Sequence, residues 1–232
     1  MNQANDREAI ETCLREHRLD GVFPEPLKPH LSLREFAAGD LICVQGEPAE
    51  TLYVLVKGKI KISNASAEGR TLVLSFKTPL EAIGDIEYFG GTEIKNTVEA
   101  VSAVVMIGAP YRWLRKYGDD SAPLLRFLLD ILTKKFYYKS VHMSLNVMYP
   151  VEIRLASYLL SVSFDESDEA FRGRLPVASL AETANLLGAS YRHVNRVIRK
   201  LVADGLLERN KSFIAVKNRE ALQTLVKSAK GE

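Results

Sequence analysis

The sequence is poor in the residues that metal, redox or membrane chemistry needs. It has 2 cysteines in 232 residues, Cys13 and Cys43, with no CxxC or finger spacing between them. That argues against a disulfide framework and against a four-cysteine iron–sulfur site. It has 4 histidines, and none lies between His30 and His142, so a histidine-rich metal centre has no ligands over that span. Cys13 and His17 share a helix face at i and i+4, but without a second pair they read as ordinary helix surface, and no metal site is expected. No apolar run approaches the length of a membrane span. The N-terminal stretch MNQANDREAIETCLREH is polar and lacks an apolar signal region. A cytoplasmic protein with no membrane partner is expected, and no catalytic residue is assigned.

What is present is charge, unevenly placed. Formal net charge is +2, yet residues 174–232 carry +6 and the preceding 173 residues carry −4. A basic C-terminal quarter on a mildly acidic body suits a polyanion partner, although basic faces are often merely solvated.

The chain divides into three zones. Residues 1–30 give an amphipathic helix and then FPEPLKPH, too proline-rich for a helix interior. From about 33 to 108, DLICVQGE, ETLYVLVKG, KIKISNA, GRTLVLSF and NTVEAVSAVVMIG are short β-rich runs separated by glycines, the pattern of an antiparallel sandwich or small barrel. A short helix over 111–118 follows, then a long one over 122–149 that Pro150 ends. A stripe on the long helix runs Leu125, Leu129, Leu132, Phe136, Ser140, Met143, Val147, while Leu124, Phe127, Leu128 and Ile131 occupy other faces. A helix apolar on two sides covers two surfaces, either a β-domain and a second subunit or one thick core. A helix over 151–163 then leads to the acidic loop FDESDEAF.

The third zone carries the sharpest pattern. SLAETANLLG (179–188) reads as a helix capped by Ser179, with Glu182 three residues on, and closed by Gly188. Ser190 caps the next helix. Ala184 allows close helix approach, Gly188 permits a left-handed turn, and Val194 and Val197 fill the angle between the helices, which together are the helix-turn-helix constraints. On a helical wheel centred on Val194, the residues Val197, Ile198, Leu201 and Val202 fall within about 80°, while Arg192, Arg196 and Arg199 lie about 140–200° away. Asn195 and His193 sit on the flanks, and Tyr191 is in the first turn. Arginine forks suit guanine, asparagine suits adenine, and Tyr or Ser suits phosphate. LLERNKSFIAV then reads as a two-stranded wing around Asn210-Lys211. The expected DNA-binding set is Ser179, Ser190, Tyr191, Arg192, Asn195, Arg196 and Arg199, with double-stranded DNA as partner.

The stretches DLICVQGEPAETLYVLVKGKIKI, AEGRTLVLSF, AIGDIEYF and LAETANLLGASYRHVNRVIRKL together resemble the CRP/FNR family of bacterial transcription regulators from about residue 30 onward. YPVEIRLASYL and SYRH are most similar to its YeiL-type branch. The resemblance implies an α+β chain, read here as an N-terminal helix and cyclic-nucleotide-binding-type β-roll (a jelly roll) sensor domain over 1–121, a long dimerisation helix over 122–149, and a C-terminal winged helix-turn-helix over 150–232. It implies a homodimer, paired through Leu125, Leu129, Leu132, Phe136 and Met143, that reads half-sites about one helical turn apart. It also implies that a signal in the roll repositions the reading heads. In cyclic-nucleotide binders of the family a Gly-Glu pair and an Arg-Ser/Thr-Ala run hold the cyclic phosphate. Here Gly84-Asp85 replace the first, and Lys95-Asn96 the second, or Ile94 takes the arginine place. Lys139-Ser140 replace the hydroxyl-bearing pair on the long helix. Lysine lacks the bidentate fork, so cAMP is not the expected ligand. An altered small-molecule effector at Gly84, Asp85, Lys95, Asn96, Lys139 and Ser140, or an inherited turn with no ligand, are both open. Arg196 matches an operator-reading arginine of the family, while Tyr191 and Arg192 depart from its pattern, so the operator should differ. RNA polymerase is an expected partner, with the acidic 165–169 loop as one candidate contact. The alternative reading is a nucleotide-type regulatory module that signals through protein contacts.

Overall fold

The computed structural model describes residues 3–66, 71–162, 174–177 and 180–230. The chain forms two compact units, one of residues 1–62 with 77–137 and one of residues 63–76 with 138–232.

The chain opens with α1 (Gln3–Glu16) and continues through β1 (Ser32–Phe36), β2 (Leu41–Cys43), β3 (Thr51–Lys57), β4 (Ile60–Ala65), β5 (Thr71–Lys77) and β6 (Glu81–Ile83), of which the end of β4 and nearly all of β5 belong to the second unit. Then come α2 (Asp85–Gly90), β7 (Thr97–Ala100), β8 (Val104–Pro110), α3 (Tyr111–Tyr117) and the start of α4 (Ala122–Met148). The strands form two four-stranded sheets, ordered β1-β8-β3-β6 and β2-β7-β4-β5. β3 explains why one roll needs helices. Its LYVLV run is buried on both faces, so period-2 alternation sends Leu52, Val54 and Val56 one way and Leu55 the other. Leu52, Val54 and Val56 pack with Ile10 and Leu14 of α1, Leu114 of α3, and Leu124, Leu128 and Ile131 of α4. Leu55 packs with Ile60, Ile83, Val98 and Met106.

The second unit contains α5 (Val151–Val162), β9 (Arg174–Pro176), α6 (Leu180–Leu186), α7 (Tyr191–Ala203), β10 (Leu207–Arg209), β11 (Phe213–Val216) and α8 (Arg219–Lys230). Its buried side chains include Leu155 and Leu159 of α5, Leu180 and Ala184 of α6, Val194, Ile198 and Leu201 of α7, Ile214 of β11 and Leu222 of α8.

The β-roll, the long helix and the winged helix-turn-helix expected from the sequence are all present, and three strands add to that reading. The polar run SLREF forms β1, because its backbone pairs with β8 from Ser32↔Gly108 to Phe36↔Val104 whatever its side chains prefer. β6 is only three residues long, and it is fixed by pairing with β3. The wing has a third strand, β9, which pairs with β11 through Leu175↔Ile214. The division into compact units falls inside α4, between Tyr137 and Tyr138. Leu124, Leu128 and Ile131 anchor the first half to the roll, whereas Tyr138, Lys139 and Ser140 are exposed.

Candidate DNA-reading face and effector loop

In the second unit, α6 ends in a turn at which Gly188 has φ +58°, a left-handed conformation that glycine adopts without strain. The Ala189 N–H donates to the Ala184 carbonyl (2.9 Å), closing the turn. Ser190 then caps α7 by accepting from the His193 N–H at 3.2 Å. Val194, Val197, Ile198 and Leu201 are buried, which fixes the roll of the helix about its own axis. Val202 is only half-buried. The consequence is that Tyr191, Arg192, Arg196 and Arg199 are all exposed on one side. The three arginines are the residues the wheel puts opposite the apolar arc, while Tyr191 is exposed because it lies in the first turn. Ser179 lies outside the described residues.

Two residues that sequence reasoning passed over complete this head. Arg154 of α5 donates from Nη1 to the Leu187 carbonyl, bracing the end of α6 just before the turn. Only its position three residues into an apolar helix hinted at such a role. Arg209 of β10 donates from Nη1 to Asn195 Oδ1 at 2.7 Å, and Asn195 Nδ2 in turn donates to the Tyr191 carbonyl at 3.2 Å. Asn195 is therefore engaged at both ends of its amide. Lys200 turns toward Glu152 of α5 at 3.0 Å instead of joining the arginines.

The unit also includes the outer part of the β4–β5 hairpin. Tyr158 of α5 donates its hydroxyl to the Val73 carbonyl of β5 at 2.9 Å. Burial pushes the Tyr158 phenol up to about 12, against the opposing effect of its hydrogen bond with Thr183 of α6. The hydroxyl is a donor throughout the physiological range, so α5, α6 and β5 share one buried polar junction.

In the first unit, Gly84 has φ +86°, and a Cβ there would lie 2.7 Å from the Thr51 carbonyl oxygen and 2.8 Å from Tyr111 Oη. Glycine is required at that point, and α2 starts directly after it. Asp85 is 2% exposed. Its two carboxylate oxygens each accept from Lys135 Nζ at 2.9 Å, and the same ammonium donates to the Ala82 carbonyl at 2.7 Å and lies 3.2 Å from Glu81 Oε1. Glu81 also pairs with Lys77 at 3.1 Å. Burial raises the Asp85 carboxyl above its ordinary value, and Lys135 opposes that rise. Lys135 is thus the partner that the sequence-based set lacks. Glu87 is buried too and accepts from the Lys95 N–H at 3.0 Å. Ile94 is packed in the core, so it does not stand in for a phosphate-binding arginine, whereas Lys95 is exposed and Asn96 half-buried. Lys139 and Ser140 are exposed on the part of α4 that belongs to the second unit.

Along α4, Leu124, Leu128 and Ile131 are buried, while Leu129 is 62% and Phe136 75% exposed. Leu125 and Leu132 are half-buried, and the side chain of Met143 lies outside the described residues. Burial pushes the Cys43 thiol up to about 12, with Glu87 and Glu47 adding to the effect, and raises that of Cys13 as well. Both thiols stay protonated, which is the unreactive form.

Two protein families match the chain: the cyclic nucleotide-binding domain over residues 33–118 and the Crp-like helix-turn-helix domain over residues 153–225. The chain is 29% identical over 212 residues to the regulatory protein YeiL of Escherichia coli, covering 91% of this chain and 93% of that one. It is 23% identical over 218 residues to the CRP-like cAMP-activated global transcriptional regulator of Mycobacterium tuberculosis, covering 91% and 97%. Among solved structures, a CRP/FNR-family transcriptional regulator from Thermus thermophilus shares the fold, with a TM-score of 0.63, 22% identity and coverage of 85% and 100%. A roll that matches the nucleotide-binding family, joined to a helix-turn-helix with its arginines facing outward, carries one conclusion: the chain belongs to the CRP/FNR family of transcription regulators.

Proposed function

We propose that the chain works in the cytoplasm as a homodimer on double-stranded DNA, with α7 of each copy in the major groove of one half-site. The observation that carries this reading is the outward face of α7. Arg192, Arg196 and Arg199 are exposed there, directly opposite a buried apolar arc that holds the helix in place, and Tyr191 is exposed in its first turn. Arginine forks presented this way match guanine edges and phosphates. The dimer reading rests on Leu129 and Phe136, large apolar side chains left in water on the side of α4 turned away from the roll. Covering each of them is worth about 1.5–3 kcal/mol. An enzymatic role has no support, since the relatives are regulators.

The effector, if one acts, is not cAMP in this reading. Glu81, Asp85 and Glu87 are all buried around the loop, and a cyclic phosphate would add a further negative charge beside them. RNA polymerase is the expected protein partner of such a regulator; the acidic 165–169 loop lies outside the described residues. The test is selection of bound DNA from a random pool, with and without cell extract. A palindromic sequence with half-sites about one helical turn apart is expected. Failure to enrich any sequence under either condition overturns the reading.

A further inference from the structure

Asn195 looks like a base-reading residue, because it flanks the exposed arginines of the recognition helix. A bidentate contact to adenine needs both ends of the amide free to face the base edge. Here Oδ1 accepts from Arg209 at 2.7 Å and Nδ2 donates to the Tyr191 carbonyl at 3.2 Å. Both ends are engaged inside the protein, so the direction of the one N–H and one lone pair that remain is set by these two bonds rather than by a base.

Strand geometry explains how Arg209 reaches that point. In the wing, Leu207 lies opposite Val216 and Arg209 opposite Ile214, which itself pairs with Leu175 on β9. Leu207, Ile214 and Leu175 are buried. Period-2 alternation puts Arg209 on that same inner face, at the end of an apolar row. Arg209 is half-buried, and its guanidinium reaches Asn195 of α7. The bond to Asn195 uses one of the five donors of the guanidinium. What is left is a planar cation set at a fixed place between helix and wing.

We infer that Asn195 and Arg209 act as one unit, in which Asn195 holds Arg209 as a contact for the DNA backbone and does not read a base. The ligand group is a phosphodiester of the duplex, for which the fork has the right geometry. Asn195 is then a positioning residue, and the wing reports its orientation through it. The inference rests on the DNA-binding reading.

The experiment compares the full-length protein with Asn195→Ala, Arg209→Ala, Arg209→Lys and the double alanine variant, on the DNA pool that the unaltered protein enriches. If the unaltered protein enriches nothing, it is the DNA-binding reading that fails. Given enrichment, Asn195→Ala and Arg209→Ala should each weaken binding on the order of 5–50-fold, equally on matched and mismatched sites, with no change in base preference. In Arg209→Ala the slope of log affinity against log salt should fall by about 0.9, the value of one phosphate. The double variant should be no weaker than the weaker single one. Arg209→Lys keeps the charge, so it should keep the slope yet lose sensitivity to Asn195→Ala. Relaxed preference at one base pair in Asn195→Ala alone would make it a reader and overturn the inference. Fully additive losses, or unchanged binding, would do the same.

Discussion

Lys135→Met is the substitution whose outcome the structure specifies most closely. The ammonium of Lys135 meets both oxygens of Asp85 at 2.9 Å, the Ala82 carbonyl at 2.7 Å and Glu81 at 3.2 Å. Methionine keeps the length and apolar character of the stem, so packing changes little and the charge is what is lost. At neutral pH the substitution leaves a carboxylate that is 2% exposed without its counter-ion. Breaking a buried pair from one side costs about 3–5 kcal/mol. In wild type the Asp85 carboxyl is already raised above 3.8 by burial, and Lys135 pulls it back. The folded chain therefore binds this proton more readily than the unfolded one, and stability falls as pH rises from 3.8 through the folded value. Removing Lys135 widens that window upward. Near pH 4 the group is protonated in the variant, and the penalty shrinks to the lost hydrogen bonds, about 1–3 kcal/mol. The destabilisation should thus grow with pH between 4 and 7. Trp113, the only tryptophan, lies in the first unit, so urea unfolding followed by its fluorescence reports that unit. Adding Asp85→Asn to the variant should recover much of the loss at pH 7. A penalty that does not change with pH, or no recovery, would refute the argument.

Arg196→Ala should cost about 1–3 kcal/mol in specific DNA affinity and relax selectivity at one position, read by competition among single-base variants of the selected site; an equal loss on every sequence would make Arg196 a phosphate contact only. Phe136→Glu alters a side chain that is 75% exposed, so the fold should survive while the dimer dissociates in sedimentation; an unchanged dimer would place the interface elsewhere. Calorimetry with cAMP should show no tight binding, and a micromolar or better titration would disprove the electrostatic argument at the loop. Tyr158→Phe removes one hydroxyl and keeps the ring, so amide exchange should speed up around Val73 while the melt of the first unit stays put; unchanged exchange would show that the hydroxyl does not hold the hairpin.

How much was legible in the sequence differs between the two units for a physical reason. The recognition helix reads well because its pattern is local. One buried arc, one glycine turn and one cap place every side chain within a few residues of its neighbours. The same applies to α4, whose two apolar faces separate into the buried Leu124, Leu128 and Ile131 and the exposed Leu129 and Phe136. Strands β1, β6 and β9 were not legible because backbone pairing with distant partners makes them, and none has an alternating run long enough to announce itself. The polar partners were harder still. Lys135 lies 50 residues from Asp85, and Arg209 lies 14 from Asn195. Nothing in either local pattern marks one as belonging to the other.

Asp85 and Asn195 share one logic. Each looks like a ligand-facing residue by its position in a motif, and each is occupied by a basic side chain from another element. A polar group beside an apolar core must be satisfied at all times, and not only when a ligand is bound. Where the chain supplies the partner itself, the motif keeps its shape and loses its vacancy. In the loop, an ammonium from α4 holds Asp85, and the order of β6 and α2 comes from within. An effector acting there would have to displace or extend that ion pair, so a cation or a hydrogen-bond donor fits the site better than a phosphate. On the head, the groups without an apolar neighbour to serve are Arg192, Arg196 and Arg199, all exposed. Sequence discrimination is therefore expected of these arginines, which the Arg196→Ala comparison tests.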